Sequence, residues 1–161
     1  MAMFVHFAPE TEIGAIRRNG LKAGRKSRGV YAMPATPDFY ASHQWLRELR
    51  RCHQGKTLMA VYFRVDGGAP ALFGVYGGPH AIGTADMAVR ALMAAPDRLG
   101  FEAILSGPIP AADITSIRPV RQVTGWRYYP SAKGRKPCAC PACLARGEPF
   151  SQKIRARFPF D

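Results

Sequence analysis

No apolar run in this chain approaches the roughly 20 residues needed to span a bilayer, so no transmembrane helix is expected. The opening MAMFVHFAPE has neither a basic start nor a following apolar stretch, which argues against a secretory signal and makes the cytoplasm the expected address. Gly-x-x-x-x-Gly-Lys is absent, and the glycines at Gly77-Gly78 match no phosphate-binding loop. No internal repeat is visible, which excludes solenoids and propellers. Carboxylates are scarce as well. There are 11 Asp and Glu against 23 Lys and Arg, a formal charge of +12 in 161 residues. From Ile114 to Gly147 there is none, while Arg118, Arg121, Arg127, Lys133, Arg135, Lys136 and Arg146 fall inside. A second basic run comprises Arg17, Arg18, Lys22, Arg25, Lys26 and Arg28. Such runs suit polyanions (nucleic acid, nucleotide phosphates, acidic proteins), with a solvated basic surface as the alternative.

What is present suffices for one domain. Hydrophobic residues make up 47%, enough for a single core. Phe4-Val5-His6-Phe7 reads as a first strand and Glu10 to Asn19 as a helix stopped by Gly20. A second strand covers Gly29 to Met33. Thr36-Pro37-Asp38 supplies a cap, a first-turn proline and an acid, predicting one helix to about Arg51 that buries Phe39, His43 or Ser42, Leu46 and Leu49. Strands follow at Thr57 to Val65 and Ala71 to Tyr76, joined by Asp66-Gly67-Gly68. His80 reads as a loop residue. Thr84 caps another helix ending by Pro96, and strands at Phe101 to Leu105 and Ile114 to Val120 complete a domain over residues 1–124. Residues 125–161, rich in Pro, Gly, Lys, Arg and Cys, form a basic extension packed on the same domain. Its Trp126-Arg127-Tyr128-Tyr129-Pro130 either anchors that extension or stacks on bases.

One order of residues carries chemistry. His6 sits on the first strand, Ile16-Arg17-Arg18-Asn19-Gly20-Leu21 follows a short helix, Gly29-Val30-Tyr31 opens the next strand, and Glu102 begins a late strand followed by a turn and another strand. Glu102 is also the only Glu between Glu48 and Glu148. Over roughly residues 4 to 120 this pattern resembles the ADP-ribosyltransferase superfamily. Its opening is similar to that of the DNA-modifying ADP-ribosyltransferase toxins and the RNA 2′-phosphotransferases. The chain departs from the family in having Phe7-Ala8 where Ser or Thr often follows the His, and the phosphotransferase arginines are not clearly matched. The resemblance implies an α+β fold of two small, split antiparallel sheets with flanking helices, and NAD as substrate.

The chemistry gives each residue a reason. Cleaving the nicotinamide–ribose bond passes through an oxocarbenium-like state, and a carboxylate beneath the ribose, Glu102, stabilises that charge. His6 orients the adenosine-side ribose, Tyr31 stacks on nicotinamide, and Arg17, Arg18 or Arg28 hold the pyrophosphate. The bland readings are a core histidine, a core tyrosine and a strand-end carboxylate paired with an arginine.

Cysteine is confined to Cys52 and the cluster Cys138, Cys140 and Cys143. Without a secretory signal, a structural zinc or reduced thiols are expected rather than disulfides, and a fourth zinc ligand falls to Cys52 or His53. Trp45 is expected in the core, and the orientation of His43 stays open. The function expected is NAD-dependent transfer of ADP-ribose to a macromolecule, nucleic acid ahead of protein. The alternatives are a non-catalytic, zinc-stabilised nucleic-acid-binding module and an NAD-dependent RNA 2′-phosphotransferase.

Overall fold

Phe4, Val5, Phe7 and Ala8 are all buried, so both faces of strand β1 (Ala2–Pro9) lie in the core and β1 cannot be an edge. On one side it pairs antiparallel with β3 (Leu58–Val65) along its whole length, from Ala2 opposite Val65 to Pro9 opposite Leu58. On the other side it meets β2 (Val30–Pro34) only at Phe4 opposite Pro34 and Val5 opposite Met33. The computed structural model describes residues 1–25, 27–122 and 124–125. The expected C-terminal extension, with Cys138, Cys140, Cys143 and the run from Trp126 to Pro130, lies outside these residues.

Seven strands form one open antiparallel sheet in the order β5-β4-β6-β2-β1-β3-β7, with β4 (Pro70–Val75), β5 (His80–Thr84), β6 (Phe101–Leu105) and β7 (Ile114–Pro119). The class is α+β. Where two small sheets are expected, the strands join in one order, and the joint between β1 and β2 is two residue pairs wide. That narrow seam divides the sheet into a wing of β1, β3 and β7 and a wing of β2, β6, β4 and β5.

The helices are short. Glu10–Glu12 is a 3₁₀ turn leading into α1 (Ile13–Asn19), which buries Ile13 and Ile16 and ends at Gly20 with φ 73°. A side chain at Gly20 would strike the backbone carbonyl of Ile109, so the stop is fixed by packing as well as by the left-handed conformation. The single helix expected from Thr36 to Arg51 is two helices, α2 (Phe39–His43) and α3 (Leu46–Cys52), separated by Gln44-Trp45. Its cap is Asp38, whose carboxylate accepts the Ala41 N–H at 3.0 Å and pairs with Arg98 at 3.0 Å. Thr36 bonds the Asp38 carbonyl and the Ser42 hydroxyl instead.

The break has a long-range cause. Gln44 is fully buried, accepts the Gly100 N–H at 2.7 Å, and donates to the carbonyls of Arg98 (2.7 Å) and Ala41 (3.0 Å). Meeting a distant loop this way outweighs continuing a regular helix. Phe39, expected in the core, is 53% exposed and stacks on His43.

α4 (Ala85–Ala94), capped by Thr84 as expected, buries Ala85, Ala88 and Leu92 against the four-stranded wing. Directly paired residues share a face, so Phe73, Ala103 and Ala32 face one way. A Cβ on Gly83 would touch both Met87 of α4 and Phe73, which makes that the α4 face. Tyr31, Ile104 and Leu72 therefore look the other way, as do Glu102 and Gly74. No helix among the described residues is long and apolar enough to cross a membrane.

Candidate active site

Beyond Val5 and Met33, β1 and β2 part, and a side chain replaces the ladder. His6 Nδ1 lies 2.7 Å from the Tyr31 carbonyl, so Nδ1–H donates and Nε2 is left as the acceptor of the neutral ring. Burial pushes the His6 pKa below its ordinary value, only partly opposed by that bond and by Glu12. The opening beside this bond is a cleft of about 680 Å³, within the size range of small-molecule sites. His6 from β1, Tyr31 from β2 and Glu102 from β6 all line it. Three residues far apart in sequence thus meet around one space.

Glu102 is held from the far side of its sheet. His80 pairs with Gly74 across β5 and β4, and Gly74 pairs with Glu102 across β4 and β6, so the three lie in one row on one face. Two strand spacings put the His80 and Glu102 backbones about 10 Å apart. Their side chains close that gap over the bare glycine, and His80 Nε2 lies 2.9 Å from Glu102 Oε1. Both side chains are nearly enclosed, at 9% and 13% exposure. Burial raises the Glu102 pKa, while His80 and, more weakly, Arg28 pull it back down. His80, expected in a loop, is the first residue of a strand, and its pairing with β4 is what places it.

Aromatic residues line the cleft beside Glu102. Trp45 lines the cleft rather than lying wholly in the core, with Nε1–H donating to the Phe101 carbonyl at 2.6 Å. Tyr76 also lines it and meets Trp45 edge-on, with ring centroids 5.4 Å apart. Both attach next to Glu102, since the Tyr76 N–H donates to the Gly100 carbonyl at 2.7 Å.

The cations fall elsewhere than expected. Arg17 and Arg18 are exposed in the last turn of α1 and do not line the cleft; Lys22 does. Arg28 is exposed but close enough to act on Glu102. His43 is buried away from the cleft. Its Nδ1–H donates to the Phe39 carbonyl (2.9 Å) and its Nε2 accepts the Tyr62 hydroxyl (2.8 Å), and burial lowers its pKa.

Cys52 and His53 line the cleft at the end of α3, placing two possible zinc donors side by side. Among the described residues no group of three or more His, Cys, Asp or Glu is arranged to hold a metal. The other three candidate ligands lie outside those residues.

No family model matches the chain, and no curated protein or solved structure matches it.

Proposed function

We propose that this chain cleaves NAD at the nicotinamide–ribose bond and transfers ADP-ribose to a nucleic acid, on an ADP-ribosyltransferase-like fold. The observation that carries the reading is the shared cleft. A nearly enclosed carboxylate (Glu102), an acceptor-bearing imidazole (His6) and a tyrosine (Tyr31) line one cavity at the seam between the sheet's two wings. The bond from ribose C1′ to the nicotinamide nitrogen breaks with its electron pair leaving on nicotinamide. Glu102, ionised, stabilises the positive charge that develops on the ribose. A nucleophile of the acceptor then bonds C1′ and releases its proton to water. Lys22 at the cleft wall and Arg28 near Glu102 offer charge to the dinucleotide phosphates. The formal charge of +12 favours a polyanionic acceptor over a protein. A structural zinc on Cys138, Cys140 and Cys143 with Cys52 or His53 would fasten the basic C-terminal segment beside the cleft.

Incubation with labelled NAD and total RNA, DNA or cell lysate tests this. Label on nucleic acid, lost in Glu102→Gln, is the expected result. Label on protein alone corrects the acceptor. Loss of a terminal 2′-phosphate from RNA, with NAD consumed, would move the chain to the phosphotransferase reading. No consumption of NAD overturns the enzyme reading in favour of a binding module.

A further inference from the structure

We propose that His80 is a positioning residue for Glu102, fixing one carboxylate oxygen across Gly74 so that the other is presented to the ribose. The inference rests on the reading that Glu102 is the group that meets the ribose. Four observations carry it. His80 and Glu102 occupy one register row, on strands that flank β4. Their 2.9 Å contact joins Nε2 to Oε1 alone, so the carboxylate is gripped at one oxygen. The residue between them is glycine, and any side chain there would stand in the space the pair uses. A Cβ at position 74 would also meet the Pro79 carbonyl at 2.8 Å and the His80 Cα at 3.3 Å. Finally, both side chains are almost enclosed, so solvent competes little for the bond.

A nearly enclosed carboxylate has two ways to fail as a charge stabiliser: it can rotate away, or it can take up a proton. His80 opposes both. Its Nε2–H holds the rotamer, and its donor favours the ionised form. Of the charged groups around Glu102, His80 approaches from β5 and Arg28 from the loop before β2. β4 contributes none there, because Gly74 is its residue in the row. The same cleft is lined by Glu48 from α3, His53 just past its end, His6 from β1, Glu12 before α1 and Lys22 after it.

The test uses the full chain with His80→Ala, His80→Gln and Gly74→Val. Two measurements are made: NAD cleavage across pH, and NMR titration of the Glu102 carboxyl carbon. In His80→Ala, kcat should fall about tenfold or more while KM for NAD changes little, because an aim rather than a binding contact is lost. The acid limb of activity and the Glu102 titration should both move to higher pH. His80→Gln, which can still donate but carries no charge, should recover part of kcat and part of the acid-limb shift. Gly74→Val should repeat the His80→Ala titration with the histidine still present; if it does not fold, the two His80 variants decide.

An active wild type with unchanged kcat and titration in His80→Ala overturns the positioning role and leaves the function standing. A moved titration with no NAD cleavage by wild type overturns the function, and the role with it, while the pair itself remains.

Discussion

His6 and Tyr31 are joined where the β1–β2 ladder stops: the imidazole donates to the tyrosine's own main-chain carbonyl at 2.7 Å. One bond therefore fixes both the histidine's tautomer and the strand that carries the tyrosine.

Replacing His6 by Ala leaves the Tyr31 carbonyl without its donor. The bond is open to water, so its loss should cost about 0.5 to 1.5 kcal/mol in chemical denaturation. NAD affinity should fall more than this loss explains, because Nε2 goes too. His6→Asn, whose amide can still donate, should recover stability better than affinity.

Acid should weaken the fold through two histidines. His6 and His43 both have folded pKa values lowered by burial from the ordinary value near 6.5. The unfolded chain then binds more protons below about pH 6.5, so their contribution is complete above that pH and is lost as pH falls through the window below it. Thermal melts from pH 7.5 to 5 should show a falling midpoint, and His43→Gln should flatten the slope.

Glu102 works the opposite way. Its folded pKa is raised, chiefly by burial, so it favours the fold while protonated and loses that contribution as pH rises through the folded value. At neutral pH, Glu102→Gln should melt no lower than wild type, and higher if desolvation dominates. The same variant should lose on the order of 100-fold or more in NAD cleavage. A variant that is stable and inactive separates the group's chemical use from any structural one.

Gln44→Ala should cost about 2 to 4 kcal/mol in equilibrium unfolding, since it empties a buried site and strips the Gly100 N–H of its acceptor. Trp45 fluorescence should report the loosening, because the indole is held beside the same loop by the Phe101 carbonyl.

Nucleic-acid affinity should fall steeply with salt, as condensed counterions are released on binding. Each phosphate contact removed from a single strand flattens the log–log slope by about 0.7. Arg17→Ala with Arg18→Ala should therefore flatten it by about 1.4 if both meet phosphates, without altering sequence preference. Elemental analysis of the purified chain should find close to one zinc, lost in Cys140→Ser.

The legible parts of this molecule are those whose cause is local. β1, β3 and β6 show themselves as apolar runs, and Thr84 announces α4 because a cap acts within one turn. His6, Tyr31 and Glu102 stand out in the sequence by the order of the family they resemble, and the structure lines one cleft with all three. The α2–α3 break does not show, because its agent is an amide reaching the Arg98–Gly100 loop. His80 is missed for a related reason. His80-Ala81-Ile82-Gly83-Thr84 has little apolar alternation of its own and becomes a strand by pairing with β4. The clue in the sequence was Gly74, a glycine inside a strand, which signals close approach by something else. Trp45, expected in the core, packs against it and also lines the cleft, a placement that depends on tertiary neighbours.

The strand order also sets a timetable for biosynthesis. β2 ends at Pro34, yet its outer partner β6 begins at Phe101, and β3, complete at Val65, waits for β7 at Ile114. A ribosome that has released β1 to β5 has therefore made Tyr31 and His80 but not the strand that carries Glu102. Until then the nascent chain displays an unpaired β2 edge, a state that invites capture by other chains and by chaperones. Glu102 arrives after the cleft's His6 and Tyr31, on the strand that closes the wing, so a product truncated before Phe101 lacks that wall of the cleft altogether.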